Sequence, residues 1–118
     1  MKAKIVDIID ENSKVKTFKF KLDEQIDYEP GQFIMLILEE GEGESKTVAR
    51  RAYSISSWNS QPTNEITITL NHTPHGKFST CLFNSKIGDK FRADGPHGLF
   101  KLNNSDKPVL FLAAGTGI

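Results

Sequence analysis

Alternation of apolar and polar residues with period two runs through most of the chain and limits its fold more than any other feature. In residues 65–70, Ile66, Ile68 and Leu70 alternate with Thr67 and Thr69. A strand points successive side chains to opposite faces, so this stretch buries one face and offers the other to water. Residues 3–10 and 15–22 repeat the pattern, clearest at Phe18, Phe20 and Leu22, with a turn at Glu11, Asn12 and Ser13 between them. The run at 33–38 follows Pro30-Gly31-Gln32 and is apolar throughout, which reads as a strand buried on both faces. An acidic hairpin loop at 39–46 leads into a strand at 47–57, and a Pro/Asn/Ser loop follows at 58–64. Gly88-Asp89 turns the chain into another strand, and Gly95-Pro96-His97-Gly98 reads as a turn entering residues 99–102. Only residues 77–83 read as helix, opened by Gly76 and closed near Asn84.

Short strands, regular turns and one short helix predict a mainly all-β chain, folded as a closed antiparallel barrel. The 118 residues suit a single domain. Lys+Arg 15 against Asp+Glu 15 leaves no net charge, which argues against a general binder of nucleic acid or anionic membrane. Eight of the aromatics are Phe, a good supply of core-filling rings. The apolar runs at 33–38 and 109–114 are far shorter than the ~18 residues a membrane span needs. The N-terminus enters strand-like alternation directly, without the apolar stretch of a secretion signal. Cys81 is the sole cysteine, so no disulfide framework and no cysteine cluster for a metal is expected. A soluble cytoplasmic domain is what remains.

The last eleven residues do not fit the barrel. Residues 108–114 are an apolar strand running into Gly115-Thr116-Gly117-Ile118. A strand that enters a glycine-rich turn is how a phosphate-binding βα unit begins, because glycine lets the backbone approach the phosphate. The other reading is a final barrel strand with a glycine-rich end. On the first, the chain is the front part of a longer protein.

Two further segments bear on chemistry. In Arg51-Ala52-Tyr53-Ser54, strand geometry sends Arg51 and Tyr53 to one face. A guanidinium fork beside a flat ring suits a ligand with both phosphate and a planar ring system, and equally suits an exposed Arg–Tyr pair. Gly76-Lys77-Phe78-Ser79-Thr80 opens the helix, where free backbone N–H groups favour an anion, unless the segment is a plain cap. Pro30-Gly31-Gln32-Phe33 and Gly95-Pro96-His97-Gly98-Leu99-Phe100 read as barrel corners. His72, His75 and His97 fall in loops with no metal-pair spacing, and Cys81 reads as a small buried hydrophobe.

Taken in order, Arg51-Ala52-Tyr53-Ser54, Gly76-Lys77-Phe78-Ser79, the two Gly-Pro corners and the Gly-Thr-Gly-Ile ending resemble the FAD-binding domain of the ferredoxin–NADP(+) reductase family, in its bacterial flavin-reductase-like branch. The resemblance covers nearly the whole chain. It implies a six-stranded Greek-key barrel over residues 1–106 and, in 107–118, the first strand of an α/β NAD(P)-binding domain.

It also implies roles. Arg51 would pair with the FAD pyrophosphate and Tyr53 would pack on the isoalloxazine and ribityl. Ser54 would hydrogen-bond near flavin N5, which requires a strand end or bulge, since alternation points it away from Arg51 and Tyr53. Tyr53 and Ser54 are thus the expected catalytic pair. Ala52 belongs to the same binding segment. Leu70 and Asn71 would line the ribityl or adenine side, largely through backbone. Gly76, Lys77, Phe78 and Ser79 would cradle the pyrophosphate, and Thr116 would stand beside flavin and nicotinamide. No metal site is expected. The implied activity moves reducing equivalents from NAD(P)H through FAD to an acceptor such as ferredoxin or flavodoxin. The competing reading is a flavin-free barrel that binds a protein or an oligonucleotide.

Overall fold

The computed structural model describes residues 1–41 and 43–117; Glu42 and Ile118 lie outside the described residues. Six strands form one antiparallel sheet: β1 (Lys2–Asn12), β2 (Val15–Ile26), β3 (Phe33–Glu40), β4 (Thr47–Ser54), β5 (Thr63–Asn71) and β6 (Lys90–His97). Among the described residues a single α-helix, α1 (Lys77–Phe83), lies between β5 and β6, with Gly76 and Asn84 as its caps. The spatial order is β4-β3-β6-β1-β2-β5, so β1–β6, β3–β6 and β2–β5 are the non-sequential pairings of a Greek key.

Alternation in the sequence becomes an inside and an outside. Phe18, Phe20 and Leu22 from β2 meet Ile66, Ile68 and Leu70 from β5, all buried. β1 keeps the phase only by inserting a bulge between Ile5 and Asp7, which turns Ile8 rather than Asp7 toward Phe18. In β3 the inner residues Ile34 and Leu36 are fully buried, while on the other face Ile37 is buried and Phe33 and Met35 are only half-buried. Burial on both faces is therefore incomplete there. Phe78 and Leu82 of α1 close one end of the core, beside the ring cluster of Phe18, Phe20, Phe83 and Phe91.

Three expectations need correction. The sheet does not close as a ladder, because β4 and β5 are its two edges. They are fastened instead by the segment after β4: Ser56 N–H donates to the Thr67 carbonyl at 2.9 Å, and Thr67 N–H donates to Ser57 Oγ at 3.0 Å. Next, Gly95, Pro96 and His97 are not a turn but the end of β6, with a cis Gly95–Pro96 bond. Residues 99–102 form no strand; they bend back over the Pro30-Gly31 corner, where Gln32 Nε2 donates to the Gly98 carbonyl and Lys101 pairs with Glu29. Finally, residues 108–114 pair with no strand among the described residues. Leu110 and Leu112 are 82% and 89% exposed, and the segment ends in a 3₁₀ turn at Gly115–Gly117. A strand is defined by its neighbour, and alternation or apolarity cannot supply one.

Candidate functional site

β4 sets the first group. Arg51 and Tyr53 stand opposite Leu36 and Ile34 of β3, so both project to the inner side of the sheet, at its open edge. The Tyr53 ring lies 5.9 Å from the Phe78 ring of α1 at 54°, a contact that joins β4 to the start of the helix. Burial pushes the Tyr53 hydroxyl pKa up, against a lowering pull from the Arg51 charge. The phenol is therefore neutral at ordinary pH and its ring serves as a surface. One Arg51 N–H donates to the Arg50 carbonyl at 2.8 Å; the guanidinium is otherwise exposed and in no ion pair among the described residues.

Ser54 faces the other way, opposite Phe33, as the last residue of β4. The β3–β4 register contains no bulge, so what frees Ser54 is the strand end. Ala52 shares that outward face, opposite Met35.

The helix start is tightly built. A Cβ on Gly76 would stand 2.8 Å from Ser79 Oγ and 3.0 Å from the Thr73 carbonyl, so only glycine fits. Ser79 is buried, and its hydroxyl accepts from Thr73 N–H while facing the carbonyls of Thr73 and Gly76. That side chain is committed to the turn. What remains for a ligand is the backbone N–H of Lys77, Phe78 and Ser79, which have no acceptor within the helix. Thr80 Oγ1 contacts His72 Nε2 at 3.3 Å, and Lys77 Nζ pairs with Glu40 at 2.5 Å, tying α1 to the end of β3. Phe78 is core, acting as the support of Tyr53 rather than a ligand contact through its side chain.

Asn71 and Thr116 come together elsewhere, at the end of β5, the edge strand that with β4 flanks the seam of the barrel. They line an open cleft of about 860 Å³ with Thr69, Glu11, Asn12, Lys14, Val15, Ala114 and Gly115. Leu70 is buried in the core, leaving its backbone alone to face outward. This cleft does not include Arg51 or Tyr53. Between the two groups runs a chain of hydroxyls absent from the sequence expectations. Ser56 Oγ bonds Thr67 Oγ1 at 2.9 Å and reaches Thr69 Oγ1 at 3.3 Å. Thr69 in turn meets Thr17 at 2.8 Å, and Thr17 donates to Glu11 at 2.7 Å. The available signal was the pairing of Thr67 and Thr69 on the polar face of β5 with Ser56 and Ser57 just after β4.

A guanidinium with free donors, a supported phenol ring beside it, a row of helix N–H groups and a polar cleft farther along one seam suit a long coenzyme with phosphates and a planar ring. A coenzyme-binding β-barrel is the class that this fold and seam define. The sequence matches the family model described as the oxidoreductase FAD-binding domain over residues 2–102, and the chain belongs to that family. It is 34% identical over 121 residues to the 2-halobenzoate 1,2-dioxygenase electron transfer component of Burkholderia cepacia, covering 100% of this chain and 33% of that one. It is 36% identical over 95 residues to the toluate 1,2-dioxygenase electron transfer component of Pseudomonas putida, covering 80% of this chain and 26% of that one. Among solved structures, the ferredoxin reductase in carbazole 1,9a-dioxygenase superposes with a TM-score of 0.75 at 26% identity, over 90% of this chain and 31% of that one. The chain thus spans a third or less of the length of these relatives. Family membership sets aside the flavin-free barrel. No helix among the described residues is long and apolar enough to cross a membrane.

Proposed function

We propose that the chain is the flavin-holding part of an NAD(P)H-dependent reductase, which passes electrons to a redox protein or an oxygenase component in the cytoplasm. Residues 1–106 are the FAD-binding barrel, and residues 107–118 begin the nucleotide-binding domain. The relatives named as electron transfer components of dioxygenases support the direction of electron flow. The exposed apolar side chains of 109–112 support the domain division, because such a stretch calls for a covering surface.

Bound FAD supplies the redox chemistry by taking a hydride and releasing electrons singly or in pairs. The chain's residues bind and orient it. Arg51 and, beyond Gly76, the backbone N–H groups of Lys77, Phe78 and Ser79 would hold the pyrophosphate. Tyr53 packs against the ring system, and Ala52 keeps that segment of backbone close. Ser54, freed by the strand end, offers its hydroxyl to N5. The Leu70 and Asn71 backbone and Thr116 line the far part of the seam.

The contact of Tyr53 with Phe78 carries this reading, since it brings the phenol, the neighbouring guanidinium and the helix start onto one side of the barrel. The test is reconstitution of the purified chain with FAD. Uptake yields a yellow protein that releases FAD on denaturation and gains about 2.7 kcal/mol of stability at ~100-fold excess over Kd. A chain that stays colourless at high FAD, or that binds single-stranded oligonucleotide with a steep salt dependence instead, overturns it.

A further inference from the structure

The outer wall formed by β2, β1 and β6 carries a row of like charges. Lys4 stands directly opposite Lys21 on one side and directly opposite Lys90 on the other, so three ammonium-bearing side chains lie abreast on three neighbouring strands. Lys2, two residues back along β1, stands opposite Arg92. Each of these cations alternates with a buried residue (Ala3, Ile5, Leu22, Phe91 or Ala93), and each therefore points outward.

Among the described residues, no ion pair involves Lys2, Lys4, Lys21 or Lys90. These four lysines, with Leu22 and Asp23, line a shallow cleft of about 240 Å³ whose floor is largely aliphatic. Asp23 is the one carboxylate in that lining, and it is occupied in accepting the Lys2 backbone N–H at 2.7 Å.

Like charges directly opposite in a sheet oppose folding. A carboxylate meets the row only at its β5 end, where Glu65 stands opposite Lys21 while its 2.7 Å ion pair goes to Lys19; Lys4 and Lys90 have no carboxylate opposite them. In the order β4-β3-β6-β1-β2-β5, Lys4 lies two strands from β5 and three from β4, on the wall across from the seam. The row is thus separate from the coenzyme site.

We infer that this wall docks a carboxylate-rich surface of a partner protein, holding it on the side of the barrel away from the seam. Docking there leaves the seam open to reactants while the partner stays attached. The row spans only about 10 Å from Lys21 to Lys90. Asp7, Asp23, Glu65 and Asp89 border it, which disfavours a long phosphate polymer or a bilayer. Its cations offer a compact target for a few carboxylates, speeding encounter and fixing orientation.

The inference is independent of the flavin reading, and its test needs no flavin. The full chain is titrated at about 20 mM salt with poly-L-glutamate, with oligothymidylate of equal charge, and with phosphatidylglycerol vesicles, while amide NMR shifts are followed. Poly-L-glutamate is expected to shift amides of β1, β2 and β6, and Lys4→Glu to weaken it about tenfold while Lys107→Glu leaves it unchanged. Lys4→Glu is also expected to raise Tm by about 2–5 °C, because it sets a carboxylate between Lys21 and Lys90. No binding of poly-L-glutamate, equal losses in both variants, tighter binding of the oligonucleotide or vesicles, or a fall in Tm for Lys4→Glu would each overturn the inference.

Discussion

Tyr53 of β4 rests on Phe78 of α1, ring to ring at 5.9 Å, and this pair couples the edge of the sheet to the only helix described. Phe78 is buried, so its truncation removes core volume as well as the support of Tyr53. Phe78→Ala is expected to destabilise the chain by about 3–5 kcal/mol in urea unfolding. Phe78→Leu, which keeps most of the volume, should cost less stability but still weaken FAD. An unchanged FAD affinity in Phe78→Leu would show that the phenol holds its place without the ring beneath it.

Arg51 makes one hydrogen bond, to the adjacent carbonyl, and otherwise faces solvent. Arg51→Ala should therefore leave the urea midpoint nearly unchanged while weakening FAD by roughly 1.5–3 kcal/mol, the scale of a hydrogen bond to a charged group. Riboflavin, which lacks phosphate, should lose much less. Calorimetric titration with both ligands decides, and equal losses would exclude a phosphate contact.

The helix and most strands were legible in the sequence because their causes are local. Gly76 and Asn84 bound α1 as read, and the Ile66, Ile68 and Leu70 alternation places the core face of β5. What was not legible depends on partners. The bulge that sets Ile8 toward the core, the hydroxyl bridge from Ser56 to Thr67 and Thr69, and the abreast placement of Lys21, Lys4 and Lys90 all follow from cross-strand register. Register is fixed by pairing, which no single strand contains. Gly95 and Pro96 looked like a turn because those residues favour turns, yet tertiary pairing holds them in β6. In the candidate site, β4 ends at Ser54 and not at residue 57 as expected, but the shared face of Arg51 and Tyr53 followed from alternation. The enclosure of Ser79 Oγ by its own turn did not.

Gly31 has φ +96°, and a Cβ there would meet the Phe100 carbonyl oxygen at 1.8 Å. Both the left-handed backbone and the close approach require glycine. Gly31→Ala is expected to cost about 1–3 kcal/mol and to detach residues 98–101 from the corner. Loss of the amide protection of Gln32 and Lys101 would report the detachment, and retention of it would refute the account.

Residues 109–112 contribute no core. The double variant Leu110→Ser/Phe111→Ser should shift stability by no more than about 0.5 kcal/mol while reducing binding of a hydrophobic dye. A large loss of stability would mean that the segment packs on the barrel in solution.

Acid should weaken the fold through named carboxylates. Lys46 and Arg92 hold Glu39 below its ordinary 4.5, Lys19 holds Glu65 below the same value, and His97 holds Asp94 below 3.8. With folded pKa values depressed, the unfolded chain binds protons first as pH falls. Their stabilisation is whole above those ordinary values and is lost as pH drops through the lower folded ones. Urea midpoints should be level above about pH 6 and decline below about pH 4. Glu39→Gln/Glu65→Gln should flatten that decline, and an unaltered profile would place the acid sensitivity elsewhere.

Fastening the two edge strands by a few serine and threonine contacts has a mechanical consequence. Between most neighbouring strands, separation breaks a long run of main-chain bonds; here it breaks only a handful of contacts. The barrel is therefore lightly held along the line where a coenzyme would lie, and a molecule bridging that line acts as a clasp. Loading and unfolding then draw on the same small set of contacts. A change at Ser56 or Thr67 should register in both together.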